Sequence, residues 1–487
     1  MQRAPSILAL ALCAFGLAGP TWAADLELTD CQLDGPFGLN HVKARCATLA
    51  VPENPAAPEG RRIELNVAVI PATAPTPSPD PVVLLAGGPG QAATEAFAGL
   101  PGAFKGLNEH HDILLLDQRG TGSSHPLDCP LSPEEMWAPK MDADDVRQRT
   151  RQCLDGLADT DPRFYTTPIA MDDLERVRQA LGYGPMNLVG VSYGTRAAQV
   201  FLRRHPDSVR SVVLAGVVPM QAALGLDHAR HLDDDLNRIF ARCADSEACA
   251  KAFPEPRKAM LALLDRLDGS AAQVAFAHPR TGEWMEVPFS RDALAGAIRL
   301  LAYVPEGQAL LPLLLSDAQS SARWDKLAAQ ALMVSDSLMD QISRGMELSV
   351  MCAEDVPFFP GDWHPGADSV IGDALVEYAR AACQVWPRGQ IPDGYHDPVQ
   401  SDKPVLMLTG EFDPVTPADY AEQALAGFTN VKSLTVPGQG HALLGRGCVD
   451  DVIAHFVRDA GFADLGEDCL DDMGPMPFFI DFTGPTP

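Results

Sequence analysis

The segment Gly190-Val191-Ser192-Tyr193-Gly194 has the pattern Gly-x-Ser-x-Gly and joins two predicted elements of secondary structure. The apolar residues 187–191 predict a buried strand, and residues 193–205, closed by Pro206, predict a helix. Small residues beside Ser192 permit a strained, crowded turn between the two elements. Such a turn raises the serine hydroxyl above the sheet, at the helix end where backbone N–H groups converge. This context favours Ser192 as a nucleophile over a serine in an ordinary glycine-rich turn.

A serine hydroxyl is a poor nucleophile unless a base takes its proton and an acid orients that base. His441 follows the predicted strand 431–436 in a glycine-rich loop, and an unperturbed imidazole pKa of ~6.5 suits proton transfer near neutrality. Asp413 follows the predicted strand 405–408 and precedes His441 by 28 residues. Taken singly, either residue could have an ordinary structural role in a loop or turn. Their joint position at strand ends, in the order Ser, Asp, His, favours a catalytic set, with Glu411 as the nearest alternative acid.

The loop Ala86-Gly87-Gly88-Pro89-Gly90 follows directly after the predicted strand 81–85. Glycines let a backbone approach a substrate carbonyl because no Cβ stands in the way. Acyl transfer also needs N–H donors for the negative oxygen of its tetrahedral intermediate. We therefore predict that the backbone N–H groups of Gly88 and Tyr193 form an oxyanion hole. The alternative is a plain glycine-rich connection.

Strand-like and helical segments alternate in the first part of the chain, which predicts an α/β protein with a doubly wound sheet. The strands expected to be buried and parallel are residues 63–70, 81–85, 112–116, 187–191 and 211–217. Helical periodicity dominates residues 221–397, and the strand pattern returns at 405–408 and 431–436. We predict two parts of one α/β core, 24–220 and 398–487, with residues 221–397 inserted as a mainly helical lid. An independent middle domain is the alternative.

Composition restricts the partners of the protein. The 487 residues carry 65 acidic and 37 basic side chains, a formal charge of −28. Nucleic acids and anionic membrane surfaces both need a basic face, so neither is an expected partner. A hydrophobic share of 46% and a charged share of 21% are typical of a globular protein rather than a disordered one.

The first 23 residues predict a signal peptide and therefore export, to the periplasm or the medium. A basic start at Gln2-Arg3 precedes the apolar run 6–18, and Thr21-Trp22-Ala23 offers small residues for cleavage before Ala24. No later apolar segment reaches the length of about 18 residues that a membrane span needs, so no stable membrane association is expected.

Ten cysteines remain after cleavage, and an oxidising compartment favours their pairing. Neighbours along the chain suggest loop-closing disulfides, although sequence does not fix the connectivity and buried free thiols are the alternative. The suggested pairs are Cys31/Cys46, Cys129/Cys153, Cys243/Cys249, Cys352/Cys383 and Cys448/Cys469. A zinc site is disfavoured because neither close CxxC pairs nor a histidine cluster accompanies them.

Five short blocks together carry a family resemblance: GGPG (87–90), DQRGTGSS (117–124), GVSYGT (190–195), GEFDPVTP (410–417) and GQGHA (438–442). In this order, over about residues 82–469, they resemble the α/β-hydrolase peptidases of the proline iminopeptidase and tripeptidyl aminopeptidase type. The secreted, cysteine-containing tripeptidyl aminopeptidase branch looks closest.

The resemblance implies an α/β-hydrolase fold in which Ser192, Asp413 and His441 are nucleophile, orienting acid and base. Residues 117–120 would then shape the floor of the site. Ala86 departs from the histidine that iminopeptidases usually carry before GGPG, which weakens a strict proline iminopeptidase assignment and is compatible with the tripeptidyl branch.

An aminopeptidase must also bind a free ammonium group, which is costly to desolvate without a carboxylate. Glu354, in a segment that resembles one near the site in this family, is the first candidate and Asp355 the second. The acidic run 233–235 in the predicted lid is a third, although such runs are usually solvated helix faces.

Together these features predict an exported serine aminopeptidase that needs no metal or organic cofactor. Its partners would be peptides with free N-termini, from which it would release short peptides such as tripeptides, or single residues including proline. A carboxylesterase with the same three residues, or a binding protein on a hydrolase scaffold, is the alternative function. Sequence leaves the oligomeric state open.

Overall fold

A nine-stranded sheet forms the central layer of the structure, a computed structural model that describes residues 26–38, 40–129, 141–321, 323–339, 341–366 and 368–485. The predicted signal peptide, residues 1–23, lies outside the described residues. The nine strands of this sheet are β1 (Thr29–Asp34), β2 (His41–Pro52), β3 (Arg62–Ile70), β4 (Val82–Leu85), β5 (Ile113–Leu116), β6 (Met186–Val191), β7 (Val209–Ala215), β10 (Val405–Gly410) and β11 (Val431–Val436). Two further strands, β8 (Ala271–Ala277) and β9 (Trp284–Ser290), form a separate hairpin.

Helices occupy both faces of this sheet and most of the chain between β7 and β10. The α-helices are α1 (Ala93–Gly99), α2 (Lys105–Asn108), α3 (Ala143–Gly156), α4 (Thr167–Ala180), α5 (Tyr193–Arg204), α6 (His228–Asp245), α7 (Glu247–Ala252), α8 (Pro256–Arg266), α9 (Arg291–Ala302), α10 (Pro305–Ser321), α11 (Asp325–Met339), α12 (Arg344–Glu354), α13 (Ala374–Cys383), α14 (Ala418–Leu425) and α15 (Val449–Asp459). Short 3₁₀ turns lie at Pro36–Gly38, Pro101–Phe104, Pro162–Phe164, Pro206–Ser208, Val356–Phe358 and Glu467–Asp472.

The strand order in the large sheet is β1-β2-β3-β5-β4-β6-β7-β10-β11. The last six strands in this order, β5-β4-β6-β7-β10-β11, are parallel to one another, as predicted for the core. The prediction for residues 63–70 is wrong in one respect: β3 runs antiparallel to β5, with Val67 opposite Leu116. A strand buried on both faces has the same continuous apolar pattern in either direction, so its sequence does not reveal its orientation.

Successive side chains of the central strands alternate between two apolar clusters, one on each face of the sheet. Val83 and Leu85 join the cluster covered by α4 and α5, whereas Val82 and Leu84 join the one covered by α1 and α15. Helices on both faces therefore exclude water from the central strands, whereas the edge strands β1 and β2 keep exposed residues. This leaves the carboxyl ends of the parallel strands as the edge at which loop side chains can meet.

The chain between β7 and β10, which includes the predicted lid, forms a third apolar cluster of its own. Its helices α6 and α8–α11 pack with the antiparallel hairpin β8/β9. Phe412, from the loop after β10, is buried in this cluster and so connects it to the edge of the sheet. The exact lid boundaries of 221 and 397 remain predictions.

Five disulfides join the cysteines that are neighbours along the chain. They are Cys31–Cys46, Cys129–Cys153, Cys243–Cys249, Cys352–Cys383 and Cys448–Cys469. Among the described helices, none combines the length and apolarity needed to cross a bilayer.

Candidate active site

Ser192 occupies a strained turn between β6 and α5. Its φ of 55° and ψ of −123° lie outside the regions that side-chain-bearing residues ordinarily adopt, which is a feature concentrated at functional sites. The flanking glycines make the turn sterically feasible. A Cβ on Gly194 would lie 1.9 Å from the carbonyl oxygen of Leu85, and one on Gly190 would lie 2.5 Å from the carbonyl oxygen of Gly194. The Gly-x-Ser-x-Gly pattern is therefore a packing requirement of this turn.

Asp413 and His441 are hydrogen-bonded to each other at the same edge of the sheet. Nδ1 of His441 lies 3.0 and 2.9 Å from the two carboxylate oxygens of Asp413, which is fully buried. The hydroxyl and N–H of Thr416 and the N–H of Val415 also donate to this carboxylate. Burial by itself raises the pKa of Asp413, but the charge and hydrogen bond of His441, together with the Thr416 bonds, hold it below its usual value. The carboxylate thus stays ionised and fixes the imidazole.

Ser192 and His441 both lie beside the carboxyl end of β7. The N–H of Ser192 donates to the carbonyl of Ala215, and a Cβ on the next residue, Gly216, would lie 3.3 Å from Cε1 of His441. Both side chains are described, and no hydrogen bond joins the serine hydroxyl to the imidazole. Such bonds are often long before substrate binds and tighten in the complex.

The residues predicted for the oxyanion hole flank Ser192. A Cβ on Gly87 would lie 3.4 Å from that of Ser192, so the loop containing Gly88 touches the serine. Gly88 is exposed and has a φ of 103°, which favours glycine. Tyr193 is the first residue of α5, where N–H groups have no acceptor within the helix. Both backbones are in place to offer donors near the serine, and their role stays a prediction.

Glu354 and Asp355 are not where a substrate could bind, which corrects the expectation for these residues. Both are fully buried at the end of α12 and are bonded to the protein. Glu354 accepts hydrogen bonds from the N–H and hydroxyl of Thr167 and from the hydroxyl of Tyr395. Asp355 forms an ion pair with Arg196, with Nη1 and Oδ1 2.5 Å apart. Glu354 is satisfied by three protein donors, and the charge of Asp355 is balanced by Arg196, while the buried Oδ2 atom of Asp355 accepts no hydrogen bond from the described residues.

These two carboxylates support the helix that begins after Ser192. The Thr167 hydroxyl that contacts Glu354 also lies 2.6 Å from the hydroxyl of Tyr193, and Arg196 is on the same helix. Burial raises the pKa of Glu354 to about 7, which the hydrogen bond from Tyr395 partly opposes. Their position is therefore structural, beneath the turn that carries the serine.

The other sequence candidates are partly structural as well. In the acidic run, Asp235 is buried and paired with Arg238, whereas the side chain of Asp234 is 63% exposed. In the loop expected to shape the floor, Arg119 is buried against Asp173, and Asp117 accepts hydrogen bonds from Thr94.

Lid residues that sequence patterns did not reveal hold the loops of Asp413 and His441. The N–H of His441 donates to the carbonyl of Tyr303, whose ring lies edge-on to the imidazole with centroids 5.3 Å apart. The amide of Gln308 donates to the carbonyls of Phe412 and Ala302. No local motif marks Tyr303 or Gln308, whereas Thr416 lies inside the block 410–417. In the ranges that the structure describes, no three His, Cys, Asp or Glu side chains are grouped so as to hold a metal ion.

Two family models and several curated relatives match this chain. A family model described as alpha/beta hydrolase fold matches residues 80–246, and one described as TAP-like protein matches residues 368–469. The chain is 25% identical to the serine protease Hip1 of Mycobacterium tuberculosis over 93% of this chain and 92% of that protein. It is 31% identical to the tripeptidyl aminopeptidase of Streptomyces lividans over 40% of this chain and 38% of that protein. Among solved structures, a serine hydrolase from Cycloclasticus zankles aligns over 86% of this chain and 100% of its own at 14% identity, with a TM-score of 0.40.

Proposed function

This chain belongs to the α/β-hydrolase peptidases, and from that premise we propose that it is an exported serine aminopeptidase. Its substrates are peptides with a free N-terminus, from which it releases tripeptides, other short peptides or single residues. The relatives named tripeptidyl aminopeptidase and proline iminopeptidase support this activity. The predicted signal peptide and the five disulfides support export.

The observation that carries the proposal is the convergence of three side-chain types at one sheet edge. A serine on a strained turn lies beside the end of β7, and so does an imidazole bonded to a buried carboxylate. A carboxylate on Nδ1 keeps the proton on that nitrogen, so the other ring nitrogen is free to accept the serine proton. This arrangement supplies a nucleophile, a base and an orienting acid.

In the proposed mechanism Ser192 attacks the carbonyl carbon of the scissile bond while His441 takes the hydroxyl proton. The N–H groups of Gly88 and Tyr193 stabilise the oxyanion of the tetrahedral intermediate. Collapse of the intermediate breaks the C–N bond as His441 gives its proton to the leaving amine. Water, activated by His441, then hydrolyses the acyl-serine ester and regenerates the enzyme.

The test compares unblocked peptides with their N-acetylated counterparts. The purified, disulfide-intact protein is incubated with a small library of both, and the product masses are measured. We expect turnover of free peptides only, with a constant number of residues released per cleavage. Equal turnover of acetylated peptides, or turnover restricted to simple esters, would remove the aminopeptidase proposal.

A fluorophosphonate probe tests the nucleophile independently of the substrate. Labelling of the wild type that disappears in Ser192→Ala identifies Ser192 as the reactive residue. Ser123, an exposed serine on the loop after β5, provides the matched control, and Ser123→Ala should label like the wild type. A folded wild-type protein that takes no label would indicate a non-catalytic protein on this scaffold.

A further inference from the structure

Arg299, on helix α9 of the lid, lies close to the proposed catalytic imidazole. Its guanidinium carbon is 5.6 Å from the centre of the Tyr303 ring, which in turn lies 5.3 Å from the centre of the His441 ring. The two distances together place the guanidinium carbon at most about 11 Å from the imidazole centre. The side chain is only partly buried. A cation is therefore held beside the site on the lid side.

No carboxylate neutralises this cation within the ranges that the structure describes. Its guanidinium lies over the face of Tyr303, to whose hydroxyl it also donates, and makes a long, 3.5 Å approach to Nδ1 of His228. Other arginines of this acidic chain, such as Arg119 and Arg446, have carboxylate partners. An arginine left without one at a site is available for an anion, and its planar donor fork matches a carboxylate.

His228 adds a second donor that has no partner in the structure. A guanidinium can only donate, so Nδ1 of His228 accepts from Arg299 and the ring proton is on Nε2. That Nε2 atom has no exposed surface and no hydrogen-bond partner among the described residues, which is costly for a buried polar group. Burial and the charge of Arg299 lower the pKa of His228 well below 6.5, so the ring is neutral.

Arg299 and His228 lie on the side of the site where the leaving fragment of the substrate would bind. His441 would deliver its proton to the leaving amine, so groups next to its ring on the lid face the leaving fragment. At about 3.3–3.6 Å per extended residue, a span of about 11 Å corresponds to three residues or fewer. A carboxylate that close to the scissile bond can only be the C-terminus or an acidic side chain of a short leaving fragment.

We infer that Arg299, positioned by its contact with Nδ1 of His228, is a carboxylate-binding subsite that selects short peptides by the free C-terminus of their leaving fragment. This inference rests on the proposed function and names its substrate class. The enzyme would thus act on the small peptides left by other proteases rather than on folded proteins. A product of an upstream endopeptidase reaction has the required chemistry, with both termini free.

The test measures kcat/KM for penta-alanine as the free acid and as the C-terminal amide, both with a free N-terminus. We expect the wild type to prefer the acid by about tenfold or more, as a charged hydrogen bond supports. Arg299→Gln should bring the ratio of acid to amide close to one, and Arg299→Lys should restore part of it. A ratio within one variant is insensitive to a general loss of folded protein. A ten-residue peptide should show no preference, because its C-terminus lies beyond reach.

Arg291 on the same helix is the matched control, since its guanidinium contacts the carbonyl of Ser369 away from the site. Arg291→Gln should keep the wild-type ratio. Equal turnover of acid and amide by the wild type, or an unchanged ratio in Arg299→Gln, would overturn the inference. Calorimetric binding of the two peptides to Ser192→Ala gives the same comparison without turnover. The binding measurement therefore tests the subsite even if neither peptide is cleaved. Absence of cleavage would count against the aminopeptidase proposal alone.

Discussion

Both carboxylate oxygens of Asp413 lie within 3.0 Å of Nδ1 of His441, on a carboxylate that no solvent reaches. An amide in place of this carboxylate can present a donor to Nδ1, which favours the wrong ring tautomer. We expect Asp413→Asn to lower kcat by about 10⁴-fold with little change in folding. Steady-state kinetics on an unblocked peptide would measure this.

Glu411 provides the control for this substitution because sequence made it the nearest alternative acid. Its carboxylate accepts the N–H of Gly438 and makes no hydrogen bond to His441. Glu411→Gln should therefore retain most of the activity. The opposite result, a larger loss in Glu411→Gln than in Asp413→Asn, would assign the orienting role to Glu411.

Gly88 should be intolerant of any side chain. Its φ is 103°, and a Cβ there would lie 2.7 Å from the backbone nitrogen of Gly90, so the loop must change its conformation. We expect Gly88→Ala to reduce kcat by about 100-fold, the effect of losing one oxyanion donor. Gly182 also has a positive φ, of 70°, but has nothing within 4 Å of a built Cβ. Gly182→Ala should cost about 1 kcal/mol of stability and leave kcat near that of the wild type. Equal kcat values for the two variants would argue against an oxyanion role for this loop.

Glu354 should make the protein less stable as pH rises towards neutrality. Its folded pKa of about 7 exceeds the value of 4.5 for the free side chain, so the folded state binds more protons between these pH values. The stabilisation is complete below pH 4.5 and is lost as pH rises through 7. A shift of this size corresponds to about 3 kcal/mol.

Urea unfolding of the wild type and Glu354→Gln at pH 5 and pH 8 measures this contribution. The free energy of unfolding of the wild type should fall relative to that of the variant between the two pH values. All other titrating groups are shared, so they cancel in the comparison. Parallel pH dependence of the two proteins would mean that Glu354 keeps an ordinary pKa when buried.

The disulfides should contribute different amounts to the free energy of unfolding, according to the length of the loop that each closes. Cys352–Cys383 spans 31 residues of sequence, whereas Cys243–Cys249 spans 6. The loss of chain entropy in the unfolded state predicts about 4 kcal/mol for the first and about 2 kcal/mol for the second. Double alanine variants of each pair, compared by calorimetric Tm, should show the larger drop for Cys352/Cys383. The reverse order would show that native packing around the cysteines outweighs the loop-length effect.

Sequence patterns predicted the fold class and identified the residues of the candidate site. The reason is that a Gly-x-Ser-x-Gly turn, strand-end loops and neighbouring cysteines are local features, and each is determined by short-range sterics or chain connectivity. Gly190 illustrates this, since a Cβ there would lie 2.5 Å from the carbonyl oxygen of Gly194 in the same turn. The family models then confirmed the α/β-hydrolase fold. The catalytic roles of Ser192, Asp413 and His441 stay predictions.

Only the tertiary structure decided which polar side chains face the site. A family resemblance made Glu354 and Asp355 candidates for binding an ammonium group. In the structure both are buried, and their partners Thr167, Tyr395 and Arg196 come from distant segments of the chain. Arg299 lies on an ordinary amphipathic helix, yet the lid places its guanidinium on the Tyr303 ring, which contacts the imidazole of His441. Whether a charged side chain is buried, and which group it pairs with, depends on contacts between segments far apart in the chain. The residue pattern along one segment carries no information about those contacts.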